Sequence, residues 1–290
     1  MAPLAVCRFF HFMAAMLAFG SSAYLRLHAP DDLRRALSPG IRGLAIATGL
    51  VALVTACVWL SLEAASMAND PSAATDLGAI ETVLADTAFG RAWILHLGLA
   101  AALVVAVVSS RPVSWTSITV LSGLLLASLG LVGHAAMQSG AVGVLHRANH
   151  AVHLLAAGAW IGGLIPFVMC VDAYAHDRHR RAAVTAMMRF SFSGHFVVAA
   201  IIATGIVNIA LTAGYAPLPP STPYRALLDV KIGLVAIMVA LAVVNRYIVV
   251  PQIRASPGAL TALRAITIVN VGLGTLVVAL VSVFALLDPR

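Results

Sequence analysis

Histidines with metal-binding potential are concentrated at the start of one apolar stretch, Leu145–Phe167. His146, His150 and His153 open this stretch, and the residues that follow them are almost all apolar. On an α-helix, residues three or four positions apart share a face, so His150 can align with either of the other two. Imidazole is the commonest protein ligand for transition metals and also binds haem iron. The spacing therefore predicts a metal or haem site at one end of a long apolar helix.

The composition is that of a membrane protein. Of the 290 residues, 61% are hydrophobic and only 10% are charged, and the mean hydropathy is +0.98. A soluble domain is roughly 25% charged. The net charge of +7 comes from basic residues spread thinly between apolar blocks. That distribution favours loops facing an anionic membrane surface over a nucleic-acid partner. The three cysteines are widely spaced and predict no disulfide framework.

Eight stretches of the sequence are long and apolar enough to cross a bilayer, which takes about 20 residues each. They are Leu4–Leu25, Ile41–Leu62, Ala92–Val108, Trp115–Gly133, Ala151–Val171, Met188–Thr212, Ala226–Tyr247 and Ala265–Leu287. We therefore predict an all-α integral membrane protein, a bundle of eight transmembrane helices that forms a single domain over residues 1–290. The first stretch has a long apolar run without a clear cleavage site, so we expect a retained helix rather than a signal peptide.

The arginines predict how this bundle is oriented. Twelve of the 17 arginines fall in the odd-numbered connections between predicted helices, and five fall in the termini and the even-numbered connections. Basic residues that flank membrane helices favour the cytoplasm, so we expect both termini to be periplasmic. Six of the ten histidines then lie in the periplasmic half of the bundle, namely His11, His96, His134, His146, His150 and His153.

The donor atoms in this half favour copper. Imidazole together with the sulfur of methionine or cysteine suits copper, especially Cu(I). His134, His150 and His153 are the primary ligand candidates, because a short connection brings their two helix ends together. A hydrogen bond to a neighbouring helix, or a place in the headgroup region, is the structural alternative for such residues. The secondary candidates are His11, His96 and Met137.

Three polar residues elsewhere are candidates for a transport path. His195 lies about two turns inside the sixth predicted helix from its cytoplasmic end. An inner transfer site and a simple helix–helix contact are both open for this residue. Asp229 and Lys231 open the seventh helix. Charges inside a membrane are costly, and they are usually paired or functional.

A b-type haem is the alternative to copper, because histidines on facing helices can be its axial ligands. His96 and His153 would form one such pair, and the protein would then transfer electrons. A second alternative is a non-catalytic scaffold for a copper-delivery complex. The sequence contains no Walker motif, no nucleotide-binding fingerprint and no recognisable Ser–His–Asp arrangement, so we do not expect an enzyme.

Five segments carry a family resemblance. They are GHAAMQSG (Gly133–Gly140), NHAVHLLAAGAWIGGL (Asn149–Leu164), RFSFSGH (Arg189–His195), TG (Thr204–Gly205) and YRALLDVKIGLVAIMVALAVVNR (Tyr224–Arg246). Together they resemble the CopD family of bacterial inner-membrane copper proteins, most clearly over residues 90–290. Each short segment is a weak signal, and the combination of two histidines with WIGG is more specific.

The resemblance implies copper resistance or copper import across the inner membrane, often beside a separate periplasmic copper carrier of the CopC type. It carries over His134, His150, His153 and Trp160 as motif positions. Our interpretation is a multi-pass inner-membrane protein that takes copper from the periplasm and moves it across the bilayer. We expect Trp160 to pack its helix rather than touch metal. The same packing role is predicted for the glycines Gly158, Gly162, Gly163, Gly272 and Gly274.

Overall fold

The computed structural model describes residues 2–109, 113–133, 138–213, 222–253, 255–284 and 287, and over them the chain is a bundle of helices. The α-helices are α1 (Ala2–Leu27), α2 (Asp31–Ala68), α3 (Leu77–Asp86), α4 (Ala88–Ser109), α5 (Trp115–Ser128), α6 (Gly140–Tyr174), α7 (Arg180–Ala213), α8 (Pro223–Val244), α9 (Val250–Gln252) and α10 (Pro257–Phe284). Within these described ranges, seven helices are long and apolar enough to cross a membrane. The shorter α5, extended by a 3₁₀ turn over Leu129–Leu131, takes the place of the predicted fourth span. The predicted all-α membrane architecture is confirmed.

Successive long helices run in alternating directions, so the connections gather at two ends of the bundle. Near the start of α1, the Cys7 thiol donates to the carbonyl oxygen of Thr55 in the second half of α2. Near its end, the Tyr24 hydroxyl contacts Cys170 Sγ at 3.3 Å, close to the end of α6. We call the end that carries α3 the α3 end, and the end that carries the α1–α2 turn the His28 end. In the predicted orientation the α3 end faces the periplasm.

Helix α1 lies inside the bundle, where it contacts α2, α5, α6 and α10. Glycines allow its close approach to α6. A Cβ added to Gly20 would lie 2.2 Å from the Gly158 carbonyl oxygen, and one added to Gly162 would lie 2.2 Å from the Met16 carbonyl oxygen. Membrane helices commonly pack through such small residues. The predicted packing role of Gly158 and Gly162 is confirmed, whereas an added Cβ at Gly272 meets nothing within 4 Å, so that prediction is wrong.

The helices extend beyond the apolar stretches that hydropathy detects. Helix α2 begins at Asp31 rather than Ile41, and α6 begins at Gly140 rather than Ala151. Polar first turns that project past the bilayer carry no hydropathy signal, although they continue the same helix. The acidic connection after α2 also contains α3, whose first turn is capped by the side chain of Asp76. The histidines that open the apolar stretch of α6 are therefore held on regular helix.

Candidate metal-binding sites

Histidines of α6 face polar side chains of α7 toward the α3 end of the bundle. His153 Nδ1 lies 2.9 Å from Thr204 Oγ1, and His150 Nδ1 lies 3.5 Å from the amide nitrogen of Asn208. The Asn149 amide donates to Asn208 Oδ1 and to the Thr204 carbonyl oxygen, both at 2.9 Å. We call Asn149, His150, His153, Thr204 and Asn208 the α6–α7 cluster. It places two of the predicted ligands together between two membrane helices.

Thr204 determines which ring nitrogen of His153 carries the hydrogen. The Thr204 hydroxyl donates to the carbonyl oxygen of Ala200 at 2.5 Å, as threonines within helices often do. A hydroxyl has one hydrogen, so in its contact with His153 this oxygen accepts. His153 therefore donates from Nδ1 and keeps a lone pair on Nε2. A histidine that binds metal is usually held in this way through its other ring nitrogen.

Gln138 holds His146 in the same tautomer. The Gln138 amide nitrogen donates to the carbonyl oxygen of Leu211 at 2.7 Å, so its Oε1 is the atom that faces His146. His146 Nδ1 donates to this oxygen at 3.0 Å, which leaves the lone pair on Nε2. Only 2% of His146 is exposed, so its ring is enclosed by protein. Gln138 thereby ties the start of α6 to the end of α7.

The two charged residues predicted on the transport path have different surroundings. Asp229 pairs with Arg225 one turn earlier on α8, with Nε 2.9 Å from Oδ1, and their side chains are 54% and 41% exposed. Lys231 is half-buried, and its charge acts on His153. Asp229 therefore belongs to an ion pair on the helix surface, whereas Lys231, two residues further along α8, is partly enclosed by protein.

A second group of histidines lies between α1, α2, α4 and α5. His96 Nε2 is 2.9 Å from His11 Nε2, and the two side chains are 1% and 0% exposed. On the outer sides, His11 Nδ1 lies 2.9 Å from Thr55 Oγ1, and His96 Nδ1 lies 2.8 Å from Ser128 Oγ. We call His11 and His96 the His11–His96 pair. Four helices thus supply one continuous chain of polar contacts in the apolar interior.

Aromatic rings enclose the His11–His96 pair. Trp93 stacks on His96 with centroids 4.6 Å apart, and Trp59 meets His11 edge-on at 5.7 Å. The Trp93 indole N–H donates to the carbonyl oxygen of Ala56 at 2.9 Å, which fixes the ring. The Arg8 guanidinium lies 4.9 Å from the centre of the Trp59 ring, a cation–π contact. The pair is therefore shielded from lipid by rigid, π-rich walls.

The structure divides the predicted ligand set. Over the described ranges, no group of three or more His, Cys, Asp or Glu side chains is close enough to share a metal ion. The six predicted ligands fall into the α6–α7 cluster (His150 and His153), the His11–His96 pair (His11 and His96) and residues that lie outside the described ones (His134 and Met137).

The two histidines of the haem alternative lie in different groups. His96 directs its ring nitrogens toward His11 and Ser128, while His153 directs Nδ1 toward Thr204 of α7. The two axial ligands of a haem face each other across one macrocycle. His96 and His153 do not face each other in this arrangement.

His195, the candidate on the other side of the membrane, joins two helices. Its Nε2 lies 3.1 Å from the Tyr247 hydroxyl, and its Nδ1 lies 3.1 Å from the Phe192 carbonyl oxygen. Tyr247 belongs to the π-helical turn Asn245–Val249 that follows α8. The structure therefore gives His195 the helix–helix contact that the sequence left open.

Sequence reasoning missed the groups that hold the histidines. They are Thr55, Ser128, Gln138 and Thr204. An isolated hydroxyl in an apolar stretch commonly bonds only to its own helix, so it predicts no partner. The available signal was the occurrence of these polar residues in segments that flank the histidine-bearing ones. Their pairing depends on how each helix is rotated about its axis, which one sequence does not supply.

Sequence comparison covers nearly the whole chain. The family model for "Copper resistance protein D-like, N-terminal domain" matches residues 1–144, and that for "Copper resistance protein D" matches residues 184–284. Inner membrane protein YebZ of Escherichia coli (strain K12) is 34% identical over 286 residues, which cover 97% of each chain. This chain belongs to the copper resistance protein D family. The resemblance stated from its motifs is confirmed, and so is the location in the inner membrane.

Two other relatives are named for copper. Copper resistance protein D of Pseudomonas syringae pv. tomato is 27% identical over 259 residues, covering 86% of this chain and 83% of the relative. Copper transport protein CutJ of Bacillus subtilis (strain 168) is 27% identical over 212 residues, covering 69% of this chain and 38% of the relative. No solved structure matches the chain. The comparisons therefore place the protein in a copper resistance and transport family.

Proposed function

We propose that this protein takes up copper at the α6–α7 cluster together with His146, one helical turn before it, and passes the copper inward across the membrane. The supporting observation is the hydrogen bonding of the α6 histidines. His146 and His153 each donate from Nδ1 to a fixed acceptor, Gln138 or Thr204, and so each keeps a lone pair on Nε2. This is the arrangement in which imidazole binds a metal ion while a second bond orients the ring.

His150 completes the proposed site together with His134, the other primary candidate. His150 lies one helical turn from both His146 and His153, so a modest rotation of its side chain brings it to an ion held by either. His134 lies outside the described residues, shortly before the start of α6. The secondary candidate Met137 precedes α6 in the same segment and would add a sulfur ligand suited to Cu(I).

The charge of Lys231 would lower the affinity of the proposed site for copper and so favour release of the ion. Its positive charge acts on His153, and like charges repel more strongly inside a protein than in water. A permanent metal site would be weakened by such a neighbour. A transport site benefits, because an ion that is bound too tightly does not leave. We propose Lys231 as the group that limits copper affinity in the inward path.

The proposed donor is a separate periplasmic copper carrier of the CopC type, which would deliver copper to the α3 end. On the inner side, His195 and the sulfur atoms of Cys170, Met187 and Met188 are the candidate acceptors along the path. We propose no catalytic reaction for this chain; copper is its cargo.

The test is the double substitution His150→Ala with His153→Ala in the full-length protein. We expect the purified, detergent-solubilised double variant to bind about one copper ion fewer per chain than the parent, because two imidazole ligands are removed. The matched control is His176→Ala, which changes an exposed histidine in the α6–α7 turn. Size-exclusion behaviour and thermal unfolding without copper establish that each variant is folded.

Reconstituted vesicles test transport separately from binding. Copper loaded on one side should appear on the other with the parent protein and with His176→Ala, and not with the double variant. A folded double variant with unchanged copper content and unchanged copper flux would refute the proposal. Binding without flux in the parent protein would leave the scaffold alternative as the better account.

A further inference from the structure

If both rings of the His11–His96 pair are neutral, the hydrogen bonds around them leave no hydrogen between their two Nε2 atoms. The Thr55 hydroxyl lies 2.6 Å from the Val51 carbonyl oxygen, and the Ser128 hydroxyl lies 2.7 Å from the Leu125 carbonyl oxygen. Oxygens this close need a hydrogen between them, and each hydroxyl has only one. Both hydroxyls therefore donate to their own helices and accept from the histidines.

Both histidines consequently carry their hydrogen on Nδ1. His11 donates to Thr55 and His96 donates to Ser128. Two neutral rings then point their Nε2 lone pairs at each other across 2.9 Å. Two acceptors at this distance repel unless a positively charged species lies between them. The structure thus presents a two-nitrogen site that calls for a cation.

We propose that the His11–His96 pair is a Cu(I) site, separate from the α6–α7 cluster. A divalent ion such as Zn²⁺ takes about four ligands, whereas over the described residues only two donors of this kind meet here. Low coordination by two imidazoles suits a soft monovalent ion, and imidazole is an accepted copper ligand. A single charge also costs less to bury than a double charge.

The geometry permits the ion with little movement. At ~2.0 Å per metal–nitrogen bond, two nitrogens stand ~4 Å apart in a linear complex, so the pair must open by roughly 1 Å. The two rings belong to different helices, α1 and α4, and Thr55 and Ser128 hold only their outer nitrogens. The faces of Trp59 and Trp93 favour a cation through their π systems.

Nearby groups define the limits of the site. The Cys7 thiol donates to the Thr55 carbonyl oxygen at 3.2 Å, so it is engaged outside the pair. Arg8 is a buried cation over Trp59, and the charge of Glu63 acts on it. Arg8 opposes a second positive charge, which again favours a monovalent over a divalent ion. These groups lie toward the α3 end, where an ion would enter.

The inference deepens the proposed function by adding a second copper site with a stated oxidation state. It rests on that function for copper as the natural cargo, whereas its test uses metal binding at residues that the α6–α7 cluster does not contain. The two proposals can therefore fail independently.

The experiment titrates the full-length protein in detergent with Ag(I), a redox-inert ion of the Cu(I) type, and then with Cu(I) under reducing conditions. The variant is His96→Gln, and the matched comparison is the double substitution His150→Ala with His153→Ala. We expect His96→Gln to lose one bound ion that the double variant retains. Tryptophan emission should change on metal addition in the parent protein and the double variant, because Trp59 and Trp93 contact the pair, and should not change in His96→Gln.

A second variant keeps both ligands and removes only their orientation. Thr55→Val leaves His11 without its hydroxyl acceptor, and we expect ~10–100-fold weaker Ag(I) binding at the pair, the usual effect of losing an outer hydrogen bond. X-ray absorption of the double variant loaded with Cu(I) should show two nitrogen neighbours at ~2.0 Å. The Thr55→Val result stands if His96→Gln fails to fold.

The outcomes separate the two proposals. A metal content and a tryptophan response in folded His96→Gln equal to those of the parent would overturn this inference. The copper content of the double variant would still test the proposed function. Affinity in Thr55→Val equal to that of the parent would also count against it, as would X-ray absorption that shows more than two nitrogen neighbours. If folded His96→Gln binds as much metal as the parent, the pair shares a proton instead of a metal ion.

Discussion

At the scale of single residues, the hydroxyl and amide partners determine the chemistry of the histidines. Thr55, Ser128 and Thr204 each donate to their own helix and accept from a histidine Nδ1. A helical hydroxyl is normally satisfied by its own backbone, and here it has a second role as an oriented acceptor. The result is a set of imidazoles that present Nε2 and are fixed in rotation.

The Thr204 hydroxyl is expected to act on copper through His153. Thr204→Val keeps the shape of the side chain and removes the acceptor for His153 Nδ1. We expect ~10–100-fold weaker copper binding at the α6–α7 cluster, with the helices intact. The control is Thr185→Val on the same helix, because the Thr185 hydroxyl bonds to the Arg181 carbonyl oxygen of its own helix. Competition with a chromogenic copper chelator measures both affinities, and equal values would contradict the expected role.

His28 is expected to make stability depend on pH. Its ring lies against Tyr24 and Phe190, with Nε2 3.4 Å from Ser193 Oγ. Burial, with a smaller contribution from the charge of Arg189, lowers the pKa of His28 from 6.5 to about 4. The unfolded chain therefore binds more protons between these values, so stability is full above pH 6.5 and falls as the pH drops toward 4.

Thermal unfolding in detergent between pH 4.5 and 7.5 measures this dependence, with the range chosen to span ~6.5, the ordinary histidine pKa. We expect the loss of stability in acid to be smaller in His28→Gln than in the parent protein. His176→Gln, at an exposed histidine, is the matched control and should behave as the parent does. The same acid response in the parent and in His28→Gln would show that His28 does not carry the effect.

At the scale of helices, the approach of α1 to α6 positions both histidine groups. Helix α1 carries His11 and meets α2, α5, α6 and α10. Helix α6 carries His146, His150 and His153. Since the two backbones touch at Gly20, Gly158 and Gly162, a shift at this contact moves one histidine group relative to the other.

Gly162→Ala is expected to separate these helices. The added Cβ would lie 2.2 Å from the Met16 carbonyl oxygen and 2.9 Å from Gly20 Cα, and backbone atoms cannot rotate away. We expect a loss of ~1–3 kcal/mol in unfolding free energy, the usual cost of overpacking. Gly233→Ala on α8 is the control, because its Cβ meets nothing within 4 Å. Unfolding measurements in detergent should show a lower unfolding free energy for Gly162→Ala than for the parent protein. Gly233→Ala should be at least as stable as the parent, since alanine favours helix more than glycine does.

At the scale of the whole molecule, charge separates the two ends of the bundle. The His28 end carries most of the described arginines, and several of them link the ends of neighbouring helices there. Arg42 donates to the Val107 and Val108 carbonyl oxygens at the end of α4, and Arg264 pairs with Asp172 at 2.8 Å. Such a basic end favours the cytoplasm.

The predicted orientation is testable with single cysteines on a background without Cys7, Cys57 and Cys170. Leu77→Cys marks the α3 end, where Leu77 is 80% exposed, and Asp177→Cys marks the His28 end, where the Asp177 side chain is 89% exposed. A membrane-impermeant maleimide applied to intact spheroplasts should label Leu77→Cys alone, and both variants after lysis. The reverse pattern would place the histidine groups on the cytoplasmic side and contradict uptake from the periplasm.

Much of the fold followed from composition and periodicity. Within the described residues, hydropathy located the seven long apolar helices and the shorter α5. The small size of Gly158 and Gly162 predicted close helix packing. Helix ends such as Asp31 and Gly140 were missed because polar turns outside the bilayer look like loops. The role predicted for Gly272 was wrong because a small residue marks close packing only when its side of the helix faces a neighbour.

The sequence by itself determined that this is a membrane bundle of the copper resistance protein D family with histidines gathered in one half. It did so because the cost of polar groups in lipid forces long apolar runs, and because ligand-type residues in such runs are rare. Only the tertiary structure decided that His11 meets His96, that His153 meets Thr204, and that the predicted single site is two groups. Those contacts depend on the rotation and crossing of whole helices, which packing at residues distant in sequence determines.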